Sequence, residues 1–155
     1  MKESLQNAKQ ELKRVDHQIF VSLKYTRTVD VLMLTLGKMI DVYECFVDCL
    51  LKKAVEEKRI REEYIPMTPI EKGNMTRDLY KDEIVQHNLD LYFLLRKVVK
   101  TNPKKEQEFR RHVTLRTFVD GNEIAVDIDQ VAEYYEILKQ FLAWVEQRVG
   151  QGETD

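Results

Sequence analysis

"VDVLMLTLGKMIDVYECFVDCLLKKAVEEKR", from Val29 to Arg59, decides the fold. Leu32, Leu36, Met39, Tyr43, Phe46, Leu50 and Ala54 recur at spacings of three and four, which puts them on one face of a helix. Val31, Leu34, Ile40, Val47 and Leu51 widen that stripe, and Lys38, Asp41, Glu44, Asp48 and Lys52 are left as a narrow polar face. A helix apolar over more than half its circumference must be covered from several sides. At ~1.5 Å per residue it spans on the order of 45 Å. The segment is therefore expected to be the central rod of a bundle. The charges that interrupt it argue against a membrane span.

Working outward, Leu5, Ala8, Leu12, Val15, Ile19 and Leu23 mark one face of a first helix, with Ser4 as its expected cap. "SLKYTRTVD", Ser22 to Asp30, breaks that pattern. Thr26 or Thr28 is suited to cap the long helix, and Asp30 suits its first turn. On the other side, the charge-rich run Glu56 to Glu63 leads to Pro66, Pro69 and Gly73, which read as a connector. Thr76 is then expected to cap a third helix over Arg77–Lys100, with Tyr80, Ile84, Leu91, Leu94, Leu95 and Val98 inward. Asn102-Pro103 stops it, because the residue before proline is pushed out of the helical region.

Thr117-Phe118-Val119, Asp120-Gly121 and Ile124-Ala125-Val126 predict a β-hairpin on a two-residue turn that needs positive φ. Such a hairpin must lean on the bundle through Phe118, Ile124 or Val126. Asp127 or Asp129 caps a last helix carrying Val131, Tyr134, Leu138, Phe141, Leu142 and Val145, which Gly150 ends. The expected architecture is all-α: an antiparallel four-helix bundle with a small β-hairpin before the last helix. It forms one domain over residues 1–150, with a loose tail at 151–155.

Composition agrees. The 155 residues are 43% hydrophobic and 34% charged, with five Gly and three Pro, the profile of a globular chain of long elements. A net charge of −2 argues against a surface that coats nucleic acid everywhere. The charge is nonetheless segregated. Arg96 to Arg116 holds eight basic residues against two acids, whereas Thr117 to Asp155 holds nine acids against two bases. The two segments either neutralise each other or present a surface to a partner. Two cysteines, no apolar leader core and no disulfide framework lead to a cytoplasmic expectation.

Motifs for chemistry are sparse. Neither a Gly-x-Ser-x-Gly elbow nor a Gly-rich phosphate loop is present. Glu83 and His87, four apart, are the best metal pair, but no second Glu–His pair accompanies them, so no metal or other cofactor is expected. Cys45 and Cys49 share a helix face without a third soft ligand and read as small core hydrophobes. The basic stretch is the better candidate. Lys104, Lys105, Arg110, Arg111 and Arg116 suit phosphates, and Phe109 and His112 suit stacked bases of single-stranded RNA. The competing reading has the same cations paired with the acidic last helix. Tyr25, Arg27, Asp30, Tyr134 and Tyr135 form a second candidate set, lining a pocket.

"SLKYTRTVDVLML" (22–34) and "EFRRHVTLRTFV" (108–119) resemble, in position and pattern, a family of small archaeal helical proteins. That family has an aromatic-to-aspartate break after its first helix, then a long apolar helix, and later a Glu-Phe-x-Arg stretch, here Glu108, Phe109 and Arg111. The resemblance implies a fold and no activity. The architecture is also similar to HEPN domains, helical bundles that often dimerise and commonly cut or bind RNA. Their nuclease signature, Arg then four to six residues then His, is absent before His17, His87 and His112. The expectation is a non-enzymatic interaction module, a homodimer through the broad apolar surface of the long helix. The alternative is an HEPN-like RNA-associated protein using residues 104–116.

Overall fold

Thr28 fixes where the long helix begins: its side-chain oxygen accepts from the Val31 N–H at 3.2 Å, with Thr28 itself extended. The computed structural model describes residues 2–150, so the tail expected at 151–155 lies outside the described residues. Among the described residues are five helices of ten residues or more and one small sheet. Helix α1 (Lys2–His17) passes into a π-helical turn (Gln18–Ser22) and a last short turn (Leu23–Tyr25). Helix α2 (Val29–Glu56) is the central rod, followed by a 3-10 turn (Glu62–Tyr64) in the connector. Then come α3 (Pro69–Leu79), α4 (Glu83–Val98), strands β1 (Lys104–Glu106), β2 (Thr114–Val119) and β3 (Asn122–Val126), and α5 (Ile128–Gly150).

The rod behaves as its pattern requires. Leu32, Leu36, Met39, Tyr43, Phe46, Leu50 and Ala54 are all wholly buried, and α1, α3, α4 and α5 pack around them. Around Tyr43 an aromatic cluster forms: Phe46, Tyr92 and Phe141 lie at centroid distances of 6.5, 5.7 and 6.2 Å. The buried hydroxyls find partners, as burial demands. Tyr43 donates to Asn88 at 2.8 Å, and Tyr80 donates to the Leu50 carbonyl at 2.6 Å. The long helix is largely covered within the chain. Among its widening residues only Leu34 is strongly exposed.

Three expectations need correction. The helix expected over Arg77–Lys100 is two, because the chain turns at Tyr80 to bury that ring. Tyr80 sits between the Arg59 and Arg148 guanidinium groups, at 4.8 and 5.3 Å, and Gln86 closes the break by donating to the Arg77 and Tyr80 carbonyls. Thr76 is no cap; its hydroxyl bonds back to Lys72 inside α3. The cap is Thr68, with Pro69 at the first helical position. Ser4 likewise lies within α1, buried, and accepts from Lys52 at 3.0 Å.

The hairpin gains a third strand, giving an antiparallel sheet ordered β1-β2-β3. Val119 pairs with Asn122 across Asp120-Gly121, both at positive φ (52° and 81°), as a two-residue hairpin turn needs. Leu115, Thr117, Val119 and Val126 face the helices. Of Phe118, Ile124 and Val126, the three residues offered for that contact, Val126 is wholly buried, whereas Phe118 is 64% exposed because the alternation places it on the outer face with Arg116. Asp127 caps α5 through the Gln130 N–H at 2.8 Å. No helix among the described residues is long and apolar enough to cross a membrane.

Candidate functional site

The two irregular stretches of the sequence, Ser22–Asp30 and Glu108–Arg111, meet at one corner of the fold. α1 loses its regular geometry in the π-helical turn, a feature frequent at functional sites. The chain then runs extended through Thr26 to Thr28 before α2 starts. The loop between β1 and β2 folds back onto this passage. A Glu108 carboxylate oxygen accepts from the Val29 N–H at 3.0 Å, adding a second cap, and a negative charge, at the start of α2. The Phe109 N–H donates to the Arg27 carbonyl at 2.6 Å. Lys105 reaches Asp30 at 3.3 Å.

Holding that geometry costs backbone strain. Gln107 and Phe109 have φ of 57° and 65°, a region where side chains with a β-carbon crowd the backbone. What the strain achieves is exposure: Phe109 stands 76% open to solvent. Phe20 at 61% and Tyr25 at 77% are also exposed on the α1 side of the corner. Exposed rings on a locally strained backbone mark a candidate binding surface.

Beside the Phe20 ring is a cleft of about 210 Å³ lined by Ile19, Phe20, Leu23, Lys24, Arg27, Arg111 and Ile128. Its floor is apolar and its charged rim is entirely basic. The Nε of Arg27 is buried and makes no hydrogen bond among the described residues. Arg111 is held by Asp129 at 3.3 Å, an exposed pair of small worth.

The basic segment is thus divided. Phe109, Arg110, Arg111 and His112 are exposed at the corner, and Arg110 has no ion-pair partner among the described residues. Lys104 and Arg116 lie side by side across the β1–β2 ladder. There, Arg116 is taken up by Glu106, with its Nε at 2.9 and 3.0 Å from the two carboxylate oxygens, and by Glu123. Those hydrogen bonds, Glu106 first, hold its pKa above the usual arginine value. Among the described residues, only Arg111 of the basic stretch pairs with the last helix.

The second set does not assemble as one pocket. Arg27 lines the cleft, Tyr25 projects into solvent and Asp30 faces Lys105. Tyr135 holds the Phe20 ring edge-on at 6.5 Å, and burial, with Asp16 beside it, pushes its hydroxyl up to about 12. Tyr134 is half-buried against the core. Glu83 and His87 are exposed on α4, and no group of three or more His, Cys, Asp or Glu that could hold a metal gathers among the described residues. Burial, then nearby acids, pushes the Cys45 thiol up to about 11. Burial likewise pushes Cys49 up to about 12.

Phe20, Lys24 and Ile128 are cleft residues that the sequence reading passed over. Phe20 carried a usable signal: it is a large aromatic next to Ile19 and off the inward stripe of α1. No protein-family model, curated protein or solved structure matches the chain.

Proposed function

We propose that the chain is a non-enzymatic binding module that holds single-stranded RNA at the corner between α1 and the 107–112 loop. The observation that carries this reading is the mixing of exposed rings with available cations in one place. Phe20, Tyr25 and Phe109 stand beside Lys24, Arg27, Arg110 and Arg111. Rings stack on bases of any sequence, and cations track the backbone. The proposal includes the architecture: α1, α2, α4 and α5 as an HEPN-like four-helix bundle to which α3 is added, in a cytoplasmic protein. The missing Arg-to-His spacing agrees with binding rather than cutting.

The test is fluorescence anisotropy with a labelled single-stranded RNA of about ten nucleotides. With three or four phosphates engaged, log affinity falls against log salt with a slope of about −2 to −3. Arg110→Ala with Arg111→Ala flattens that slope, whereas Arg116→Ala leaves binding unchanged, since Glu106 and Glu123 already occupy that guanidinium. Equal losses for all three arginines, or no binding at low salt, refute the reading.

A second reading, docking of a protein partner or a second copy, is favoured by the connector and the start of α3, where Tyr64, Met67 and Ile70 are 62%, 91% and 45% exposed. Light scattering of the wild type and of Met67→Ser separates the two. A concentration-dependent dimer abolished by Met67→Ser supports self-association, and an unchanging monomer removes that form of it.

A further inference from the structure

Resting on the RNA reading, we propose that the cleft bounded by Ile19, Phe20, Leu23, Arg27, Arg111 and Ile128 is a pocket for one nucleotide turned out of the strand. Its base lies on the apolar floor and its phosphate on Arg27. At about 210 Å³ the cleft is smaller than the several hundred cubic ångströms typical of extended small-molecule sites. It has room for a single ring system. Ile19 and Leu23 are almost fully buried and form a fixed floor, and Tyr135 braces the Phe20 ring that forms one wall. A flat base gains from such walls what it loses on leaving its neighbours.

The rim decides the second half of the ligand. No acidic residue lines the cleft, and Lys24, Arg27 and Arg111 do. A neutral base alone would leave the three cations of the rim without a counter-charge; a phosphate supplies one. Arg111 is released from its exposed pair with Asp129 at small cost, so it closes on the same phosphate. The recognition chemistry is therefore a planar ring joined to an anion, the content of a single nucleotide.

Methyl and amide NMR shifts of the whole chain test this with uridine 5′-monophosphate, uridine and inorganic phosphate added separately. Expected is that the monophosphate moves the methyls of Ile19, Leu23 and Ile128 together with amides near Arg27, and that phosphate alone leaves those methyls in place. Arg27→Gln weakens the monophosphate by at least about tenfold, and Ile128→Phe, which fills the cleft, does the same. Arg27→Gln keeps the loop, because Phe109 bonds to the Arg27 backbone rather than its side chain. If RNA binds but the monophosphate leaves all three methyls unmoved, or phosphate alone reproduces the shifts, the pocket proposal is overturned while the RNA reading stands. If the RNA also fails to bind, both fall.

Discussion

Replacing Phe109 by alanine and by glycine separates the price of the loop from its use. Both variants remove the same ring, which is 76% exposed and so contributes little burial. They differ in the backbone. At φ of 65° a residue with a β-carbon bears roughly 1–2 kcal/mol that glycine does not. Glycine in turn loses about 0.5–1 kcal/mol more entropy on folding than alanine. The balance makes Phe109→Gly the more stable of the two by about 0.5–1 kcal/mol, the reverse of the order in a helix or strand. In a chain of 155 residues that is ~1–4 °C in midpoint. Thermal unfolding followed by circular dichroism reads it. RNA affinity falls in both variants by the loss of one stacking platform, ~1–3 kcal/mol. A Phe109→Ala protein more stable than Phe109→Gly would show that the loop is unstrained and refute the reasoning.

Two more outcomes follow from the corner and the core. Glu108→Ala strips the second cap from α2 and lowers stability by about 1 kcal/mol. Glu108→Gln keeps an acceptor and loses only the charge, worth about 0.3–1 kcal/mol, so urea midpoints should rank wild type, then Gln, then Ala. The thiols provide a pH readout. With Cys45 up to about 11 and Cys49 up to about 12, neither is a thiolate at pH 8, so a chromogenic disulfide reagent reacts slowly with native protein and fast in denaturant. Since folding raises both values above about 9, their stabilising contribution is complete below that pH and is lost as pH rises through the folded values. Rapid native labelling at pH 8 would contradict the burial of that helix face.

Local grammar made much of the fold legible. The apolar breadth of Val29–Glu56, the Thr28 cap, the Asp120-Gly121 turn and the Asp127 cap each act within a few residues, so each leaves a mark in the sequence. Thr68-Pro69 with Glu71 is equally local, but proline marks connectors as well as first helical positions, so the pattern alone does not single out a helix start. The break at Tyr80 was not local. It is set by Leu50, Arg59 and Arg148, which lie far away in the chain. Phe118 went outward because strand parity depends on where the strand starts, and it starts at Thr114. The basic segment was visible as composition, but its division was not. Whether Arg116 or Arg110 is available depends on Glu106, Glu123 and the path of the loop. The junction of Glu108 with Val29, 79 positions apart, has no local signature at all.

That junction has a consequence for the order in which the protein becomes competent. The corner draws on residues 19–29, 107–111 and 128, so nothing made early in translation contains it. A nascent chain can wind its first two helices and still lack the cleft, which is completed only when Ile128, at the start of α5, has left the ribosome tunnel. The corner is therefore a product of the whole described chain, and no early fragment of it carries the same surface.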